Sequence, residues 1–357
     1  MIENGSTSLR QLRSLGIRLG ASTLYHSGAL GLYEKLGRWR RENPQNEASR
    51  FMILLYHRVN PDEDPLFPAV SPQTFDAQMG YLAKNFKVLS LVDIIRRVQQ
   101  GQALEPFTIA ITFDDGYRDN YIFAHPILKQ YQLPATVFVA TGFVGSDRLM
   151  WNDSLAWAVK NTGEQKTVCE IRGREFPISL GTQQDKAVSL NLLLEELKPI
   201  TEDQKKETVT KIVNALRAKS AAPPSLMLNW SELRAMAQEG WDIGSHTVDH
   251  AILTSVELSR AAQELRLSKE AIEQELQRPA ELCAFPNGKR ADFNGEIKRM
   301  VKTCGYRAAA TTLRGINDRN LDLFELRRWS VWETHLPTLA CKLGYLYRRQ
   351  SSHEHNS

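Results

Sequence analysis

Thr108-Ile109-Ala110-Ile111-Thr112-Phe113-Asp114-Asp115-Gly116-Tyr117 is the stretch on which the reading of the fold turns. An apolar, β-branched run of strand length stops at two adjacent carboxylates and a glycine, which is how a buried strand delivers acids to its C-terminal edge. Upstream, Phe51-Met52-Ile53-Leu54-Leu55-Tyr56-His57 has the same form and ends in a histidine. Between the two, helices are predicted near Ser71 to Lys84 and from Leu91 to Gln100, with a strand near Lys87 to Leu91. A helix near Tyr121 to Gln132 and the β-rich Ala135-Thr136-Val137-Phe138-Val139-Ala140-Thr141 come next. Strands that alternate with helices pair in parallel through right-handed crossovers, so the fold class is α/β.

The alternation pauses between about Trp151 and Met227. A short hairpin is expected near Val168 to Ile178, then a helical stretch from Gln184 to Lys219 that ends at Ala221-Ala222-Pro223-Pro224-Ser225. Residues 152–227 are therefore read as a mainly helical insertion over one face, either a structural excursion or a lid at the substrate edge. Alternation resumes with a helix capped by Ser231 and a strand from Trp241 to His246. A capping box at Thr254-Ser255-Val256-Glu257 then opens a helix with Leu258, Ala262, Leu265, Ile272 and Leu276 on its apolar side. Strands near Leu282 to Phe285, Tyr306 to Thr312 and Glu325 to Val331, a helix from Phe293 to Thr303 and a last helix from Leu336 to Arg349 complete the order, with 351–357 as a loose tail.

With 357 residues and 42% hydrophobic content, the chain can bury one large core. A barrel of roughly 250 residues with extensions accommodates it, the main domain running over residues 51–350. Four widely spaced cysteines, none in a CxxC pair, point to buried thiols rather than to a disulfide framework or a thiolate zinc site. Residues 1–50 hold eight Lys or Arg against four Asp or Glu, a surplus equal to the +4 of the whole chain, so no nucleic-acid groove is expected. In this basic extension Leu9, Leu12, Leu15 and Leu19 recur at helical spacing beside Arg10, Arg13 and Arg18, and Glu42-Asn43-Pro44-Gln45-Asn46 has the composition of a linker. Such a helix either packs on the barrel or makes a peripheral contact with an anionic membrane surface. No run of about 18 apolar residues and no secretory leader is seen, which makes the cytoplasmic side the expected location.

Successive side chains on a strand point to opposite faces, so Asp114 and Asp115 are not expected to flank a sugar as glycosidase acids do. They take different jobs. With Gly116 free to adopt positive φ, one can face a metal while the other lies beside the water it activates; a turn cap is the alternative. In Ser245-His246-Thr247-Val248-Asp249-His250, the i, i+4 spacing can bring both imidazoles to one side of a turn or helix start. Two histidines and one carboxylate leave coordination positions open for water and a substrate carbonyl.

Thr112-Phe113-Asp114-Asp115-Gly116 and Ser245-His246-Thr247-Val248-Asp249-His250, in that order, resemble the first two motifs of the polysaccharide deacetylase family, the NodB-homology domain of carbohydrate esterase family four. The resemblance extends to Leu55-Tyr56-His57-Arg58-Val59 and Phe285-Pro286-Asn287-Gly288, and covers most of residues 51–333 outside the insertion. It implies a distorted (β/α) barrel and metal-dependent removal of acetyl groups from N-acetylhexosamine units of a polysaccharide or its precursor. Carried onto this sequence, it implies that Asp115, His246 and His250 hold a divalent metal, usually zinc, with Asp114 as general base. Of the two arginines in Glu325-Leu326-Arg327-Arg328-Trp329, Arg328 aligns better with the one that orients the base.

Where the family often has Arg-Pro-Pro-Tyr-Gly, this chain has alanine at the arginine position, Ala284, and asparagine at the tyrosine position, Asn287. That variant resembles the exopolysaccharide-associated branch. Pro286, Asn287 and Gly288 are still expected to line the substrate site, a backbone N–H serving the oxyanion. His57 is expected to line the pocket or orient a ligand. The leucine-X-histidine motif that supplies the family's general acid has no clean copy, and His335 is the nearest candidate. The competing readings are a same-fold hydrolase of another C–N or ester bond, a carbohydrate-binding relic that has lost its acid, and a non-haem iron oxygenase. The last also uses two histidines and a carboxylate but has no evident need of Asp114.

Overall fold

Every residue of strand β1 (Phe51–Tyr56) is buried, and the two faces of the strand enter different cores. Met52, Leu54 and Tyr56 point outward into one apolar cluster, while Phe51 and Ile53 point into another. Strand β3 (Thr108–Phe113) lies parallel to it in register from Phe51↔Thr108 to Tyr56↔Phe113, and divides in the same way, with Ile109, Ile111 and Phe113 outside and Ala110 inside. Burial on both faces is the physical reason these strands read as unbroken apolar runs.

The structure is a computed structural model that describes residues 4–27, 50–62, 64–218, 226–318 and 321–348. The remaining strands of the main sheet are β2 (Lys87–Val88), β4 (Thr136–Val139), β7 (Asp242–Ser245), β8 (Leu282–Ala284), β9 (Ala308–Ala310) and β10 (Trp329–Ser330). They pair in parallel in the order β10-β1-β3-β4-β7-β8-β9, with β2 on β3. The open side is bridged by the segment before β10: Ala309 N–H donates to Leu323 O at 2.8 Å, Thr311 N–H to Leu326 O at 2.9 Å and Arg328 N–H to Leu313 O at 2.9 Å. The result is the distorted (β/α) barrel that the strand–helix alternation and the motifs led us to expect. Its interior is tight, because a Cβ placed on Gly244 would lie 2.5 Å from the Phe138 ring.

Helices α1 (Asn4–His26), α2 (Pro72–Asn85), α3 (Leu91–Gln99) and α4 (His125–Gln130) precede or flank the first half of the sheet. Ser71 and Ser90 cap α2 and α3 by accepting from the N–H groups of Thr74 and Asp93. The expected helix at Tyr121 opens instead as a π-turn over Asn120–Ala124 before α4. Between β4 and β7 come α5 (Trp151–Asn161), the hairpin β5 (Lys166–Ile171) and β6 (Arg174–Ser179), then α6 (Gln183–Leu197) and α7 (Glu202–Leu216). The continuous helix expected there is broken by Pro199, which cannot donate to a helical ladder. These elements bury an apolar cluster of their own, with Leu193, Leu197, Ile212 and Leu216 at its centre.

Helices α8 (Trp230–Gln238), α9 (Leu258–Leu276), α10 (Gly295–Thr303) and α11 (Leu336–Arg348) complete the described chain. Two caps differ from the sequence reading. Asn229, not Ser231, caps α8 and forms a capping box with Glu232. The Thr254–Glu257 box does not form, because Leu253–Ser255 turns into a 3₁₀ helix, and Leu258 is consequently exposed.

Helix α1 runs against α11, with Ala21 buried and Ser22 Oγ 3.2 Å from His335 Nε2, while Ile17, Leu19 and Leu24 stay exposed. The linker at 42–46, the 221–225 segment and the 351–357 tail lie outside the described residues. No helix among the described residues is long and apolar enough to cross a membrane, and all four cysteines are free thiols.

Candidate active site

The ladder between β1 and β3 continues one residue past the strand, Asp114 N–H donating to Tyr56 O at 3.1 Å, and then breaks. Asp115 has φ 74° and Gly116 φ 84°, both left-handed. A Cβ on Gly116 would come within 2.9 Å of Val139, so glycine is required there both by conformation and by space. The turn undoes the alternation on which the strand argument separated the two acids. Asp114 Oδ2 lies 3.9 Å and Asp115 Oδ1 3.5 Å from the same nitrogen, His246 Nε2. Asp115 Oδ1 is also 3.3 Å from His250 Nε2, and the ligand atoms of Asp115, His246 and His250 all fall within 4.8 Å of one another.

The two histidines reach that point by different routes. His246 extends β7, its N–H donating to Val139 O at 2.9 Å, and its Nδ1 donates to Ala284 O at 2.8 Å. A carbonyl only accepts, so the proton sits on Nδ1 and the Nε2 lone pair faces the acids. His250 lies across a turn in which Thr247 (φ 67°) and His250 (φ 56°) are left-handed, a cost on the order of 1 kcal/mol or more for each. The turn is held by Glu264 of α9, whose Oε2 accepts from the N–H groups of Val248 at 2.8 Å and Asp249 at 2.9 Å. Sequence reasoning found both imidazoles but neither Glu264 nor the Ala284 carbonyl, since sixteen and thirty-eight residues of separation leave no local pattern.

Electrostatics divides the pair of carboxylates. Burial alone would raise both, yet Arg328 with His246 holds Asp114 below its ordinary range, and the neighbouring imidazoles of His246 and His250 hold Asp115 well below. Arg328, fully buried, forks onto Asp114 with Nη1–Oδ1 and Nη2–Oδ2 both at 2.7 Å, and its Nε donates to Thr311 O at 2.7 Å. Its neighbour Arg327 is exposed. His246 is pushed the other way: burial lowers it, but Asp114 and Asp115 outweigh this and raise its pKa. The cluster therefore stabilises positive charge at its centre, and the donor set of two imidazole nitrogens and one carboxylate fits a divalent cation such as zinc.

The remaining predicted residues fall around this cluster in unequal ways. His57 follows β1, and its ring stacks nearly parallel to that of Trp332 at 5.8 Å. Its Nδ1 is buried without a hydrogen-bond partner among the described residues. Trp332, 54% exposed, carried no motif and was not singled out. In the loop after β8, Asn287 spends its side chain on Asp292 at 2.6 Å, and the Gly288 N–H donates to Pro286 O at 2.7 Å. The Asn287 N–H makes no hydrogen bond among the described residues. His335 lies elsewhere: Nε2 contacts Ser22 and Nδ1 is 2.8 Å from Thr338 Oγ1, so it caps α11 against α1.

A second buried acid lies behind the metal-type cluster. The Tyr117 hydroxyl donates to both oxygens of Asp153, at 3.2 and 3.1 Å, and burial, with Asp115 adding to it against Arg58, pushes the Asp153 carboxyl up to about 7. Its folded pKa thus exceeds the unfolded one, so the stability it contributes is complete near pH 4 and is lost as pH rises toward 7. Asp153→Asn has no proton to lose. We expect it to gain up to a few kcal/mol relative to the parent between pH 4.5 and 8, read from urea midpoints. Parallel midpoints across that range would mean that Asp153 does not titrate there.

Residues 101–309 match the family model for polysaccharide deacetylases. The chain is 22% identical to the Bacillus subtilis protein YxkH over 286 residues, 80% of this chain and 72% of that one. It is 32% identical over 115 residues to the poly-beta-1,6-N-acetyl-D-glucosamine N-deacetylase of Staphylococcus epidermidis, a match covering 28% of this chain and 39% of the relative. Among solved structures, the fold is similar to IcaB from Ammonifex degensii (TM-score 0.54, 17% identity, 84% of this chain and 98% of that one). It is also similar to the Streptococcus pyogenes deacetylase PplD (TM-score 0.53, 21% identity, 79% and 92%). Since the family model takes in more than half of the sequence, from before the Asp114-Asp115 strand end to beyond the two-histidine turn, this chain belongs to the polysaccharide deacetylase family.

Proposed function

We propose that the chain removes acetyl groups from N-acetylhexosamine units of a polysaccharide or its precursor, with a divalent metal, zinc before others, held by Asp115, His246 and His250. One observation carries this reading: adjacent carboxylates are partnered differently, Asp114 by Arg328 and Asp115 by two imidazoles. An iron oxygenase would leave the Asp114–Arg328 pair without a task. The name of the staphylococcal relative makes a β-1,6-linked N-acetylglucosamine polymer the first substrate to try.

When bound, the metal supplies Lewis acidity, which lowers the pKa of water and polarises a carbonyl. The protein does the rest. Asp114, kept ionised by Arg328, takes the proton of the attacking water, and the fixed fork of the guanidinium keeps its carboxylate aimed. The free N–H of Asn287 is the loop donor for the oxygen that gains charge. His57, next to both acids and stacked on Trp332, gives a proton to the departing amine, a task for which His335 is too far engaged. The exposed indole of Trp332 offers an apolar face to the C–H side of a sugar ring.

The test is acetate release by the purified full chain, with zinc added, from β-1,6- and β-1,4-linked N-acetylglucosamine oligomers. Release is expected, with about one metal per chain in the parent and near none in His246→Ala. His57→Ala should slow amide substrates by about 10²-fold or more yet spare an aryl acetate, whose leaving group needs no proton. No release from any oligomer by a metal-loaded chain would overturn the reading, and unchanged metal content in His246→Ala would overturn the ligand set.

A further inference from the structure

The turn that carries His250 is held from two sides, and only one of them belongs to the barrel. On the barrel side Glu264 takes the N–H groups of Val248 and Asp249. On the other side Glu202, in the first turn of α7, accepts with Oε1 from the Ile252 N–H at 3.3 Å and from the Ser255 hydroxyl at 3.2 Å. Behind it stands Lys205, a lysine with only 1% of its side chain exposed, whose Nζ is 2.7 Å from Glu202 Oε1 and 5.2 Å from the centre of the Trp151 ring. The two clamps are joined by Arg260, 2.9 Å from Asp203 and 3.9 Å from Glu264.

A buried lysine is expensive unless paired, and here its pairing fixes the rotamer of the very carboxylate that grips the turn. The same ammonium acts on Asp292, the residue that ties down the Asn287 loop. Elsewhere in α6 and α7 the buried side chains are apolar and pack on their own cluster, save Ser189, which donates to Ser179 O in the hairpin of the same segment, so the Glu202–Lys205 pair stands apart as the point where this segment meets the site.

We propose that Glu202, set by Lys205, is a positioning residue for His250, so that the segment between β4 and β7 serves as the second jaw of the metal site. The proposal rests on the assignment of Asp115, His246 and His250 as ligands. His250 sits two residues before the clamped Ile252 in a left-handed conformation that its neighbours must hold. Loss of a partner that orients a ligand typically costs 10- to 100-fold in metal affinity.

The experiment uses the full chain with two readouts: zinc affinity by competition with a chromogenic chelator, and amide hydrogen exchange over residues 248–256 in the metal-free protein. E202A is expected to bind zinc about 10- to 100-fold more weakly and to exchange faster across the turn. V209A, which opens a cavity in the same segment away from Glu202, should keep its affinity within about 2-fold. If E202A does not fold, S255A decides, since it removes the hydroxyl that contacts Glu202 at 3.2 Å and Ile252 O at 2.8 Å without stranding a buried charge, and it should weaken binding by about 2- to 10-fold. Parent-like affinity and exchange in a folded E202A, or in S255A where E202A does not fold, would overturn the clamp; so would an equal loss in V209A. A parent that takes up no zinc would overturn the ligand assignment instead, and the metal part of this proposal with it.

Discussion

Asp114→Asn is expected to lower kcat for deacetylation by about 10²- to 10⁴-fold while the chain still takes up its metal. The amide keeps the shape of the carboxylate and one acceptor oxygen for Arg328, but it cannot accept the proton of the attacking water. Asp115, His246 and His250 are untouched, so metal content measured by elemental analysis should match the parent. KM should move little, because Asp114 is fully buried against Arg328 and offers the substrate no surface of its own beyond the reacting water. Full activity in a metal-loaded Asp114→Asn chain would assign the base elsewhere. If activity and metal disappear together, Asp114 is acting through the metal site, and the division of labour between the two acids fails.

Arg328→Met carries the larger structural penalty. The guanidinium makes three bonds near 2.7 Å, two to Asp114 and one to Thr311 O, in a site with no exposure. Its removal leaves a buried carboxylate alone, a change that typically costs about 3–5 kcal/mol. Burial of Asp114 would then be opposed chiefly by His246 and push its carboxyl upward, so the variant should lose stability as pH rises, whereas the parent, whose Asp114 is held low, keeps that contribution until acid pH. Adding Asp114→Asn to Arg328→Met removes the stranded charge and should restore much of the lost stability. Urea titrations of the parent, both single variants and the double variant measure this coupling. A single Arg328→Met within about 1 kcal/mol of the parent would show that the fork is not what keeps the ionised Asp114 buried.

Much of this site can be read from local sequence because its parts sit at strand ends. Asp114 and Asp115 follow β3 directly, His57 follows β1 and His246 follows β7, so an apolar run marks where each will appear. Arg328 was legible only through its resemblance to a motif, since the pair with Asp114 spans 214 residues. Backbone geometry was the harder part. The left-handed Asp115 breaks strand alternation and turns two acids toward one imidazole, an outcome that no periodicity encodes. The supports were invisible for a related reason: Glu264, Glu202 and the Ala284 carbonyl act by position alone, and a glutamate on an amphipathic helix looks the same whether it faces solvent or a metal-site turn. Caps show the limit in small. The sequence reading chose Ser231, but Asn229 lies only two positions before it, and the capping box with Glu232 settles the choice for Asn229.

The barrel is closed by its last strand and the segment that leads into it. The segment from Leu323 to Ser330 crosses from β9 to β1 and brings Arg328 with it, long after the acids, the histidines and the other strands have been laid down. In chain order, the residues proposed to hold the metal therefore all precede the one that keeps Asp114 charged. The Asp114–Arg328 pair exists only once the barrel has closed, so the charge of the acid is tied to completion of the fold.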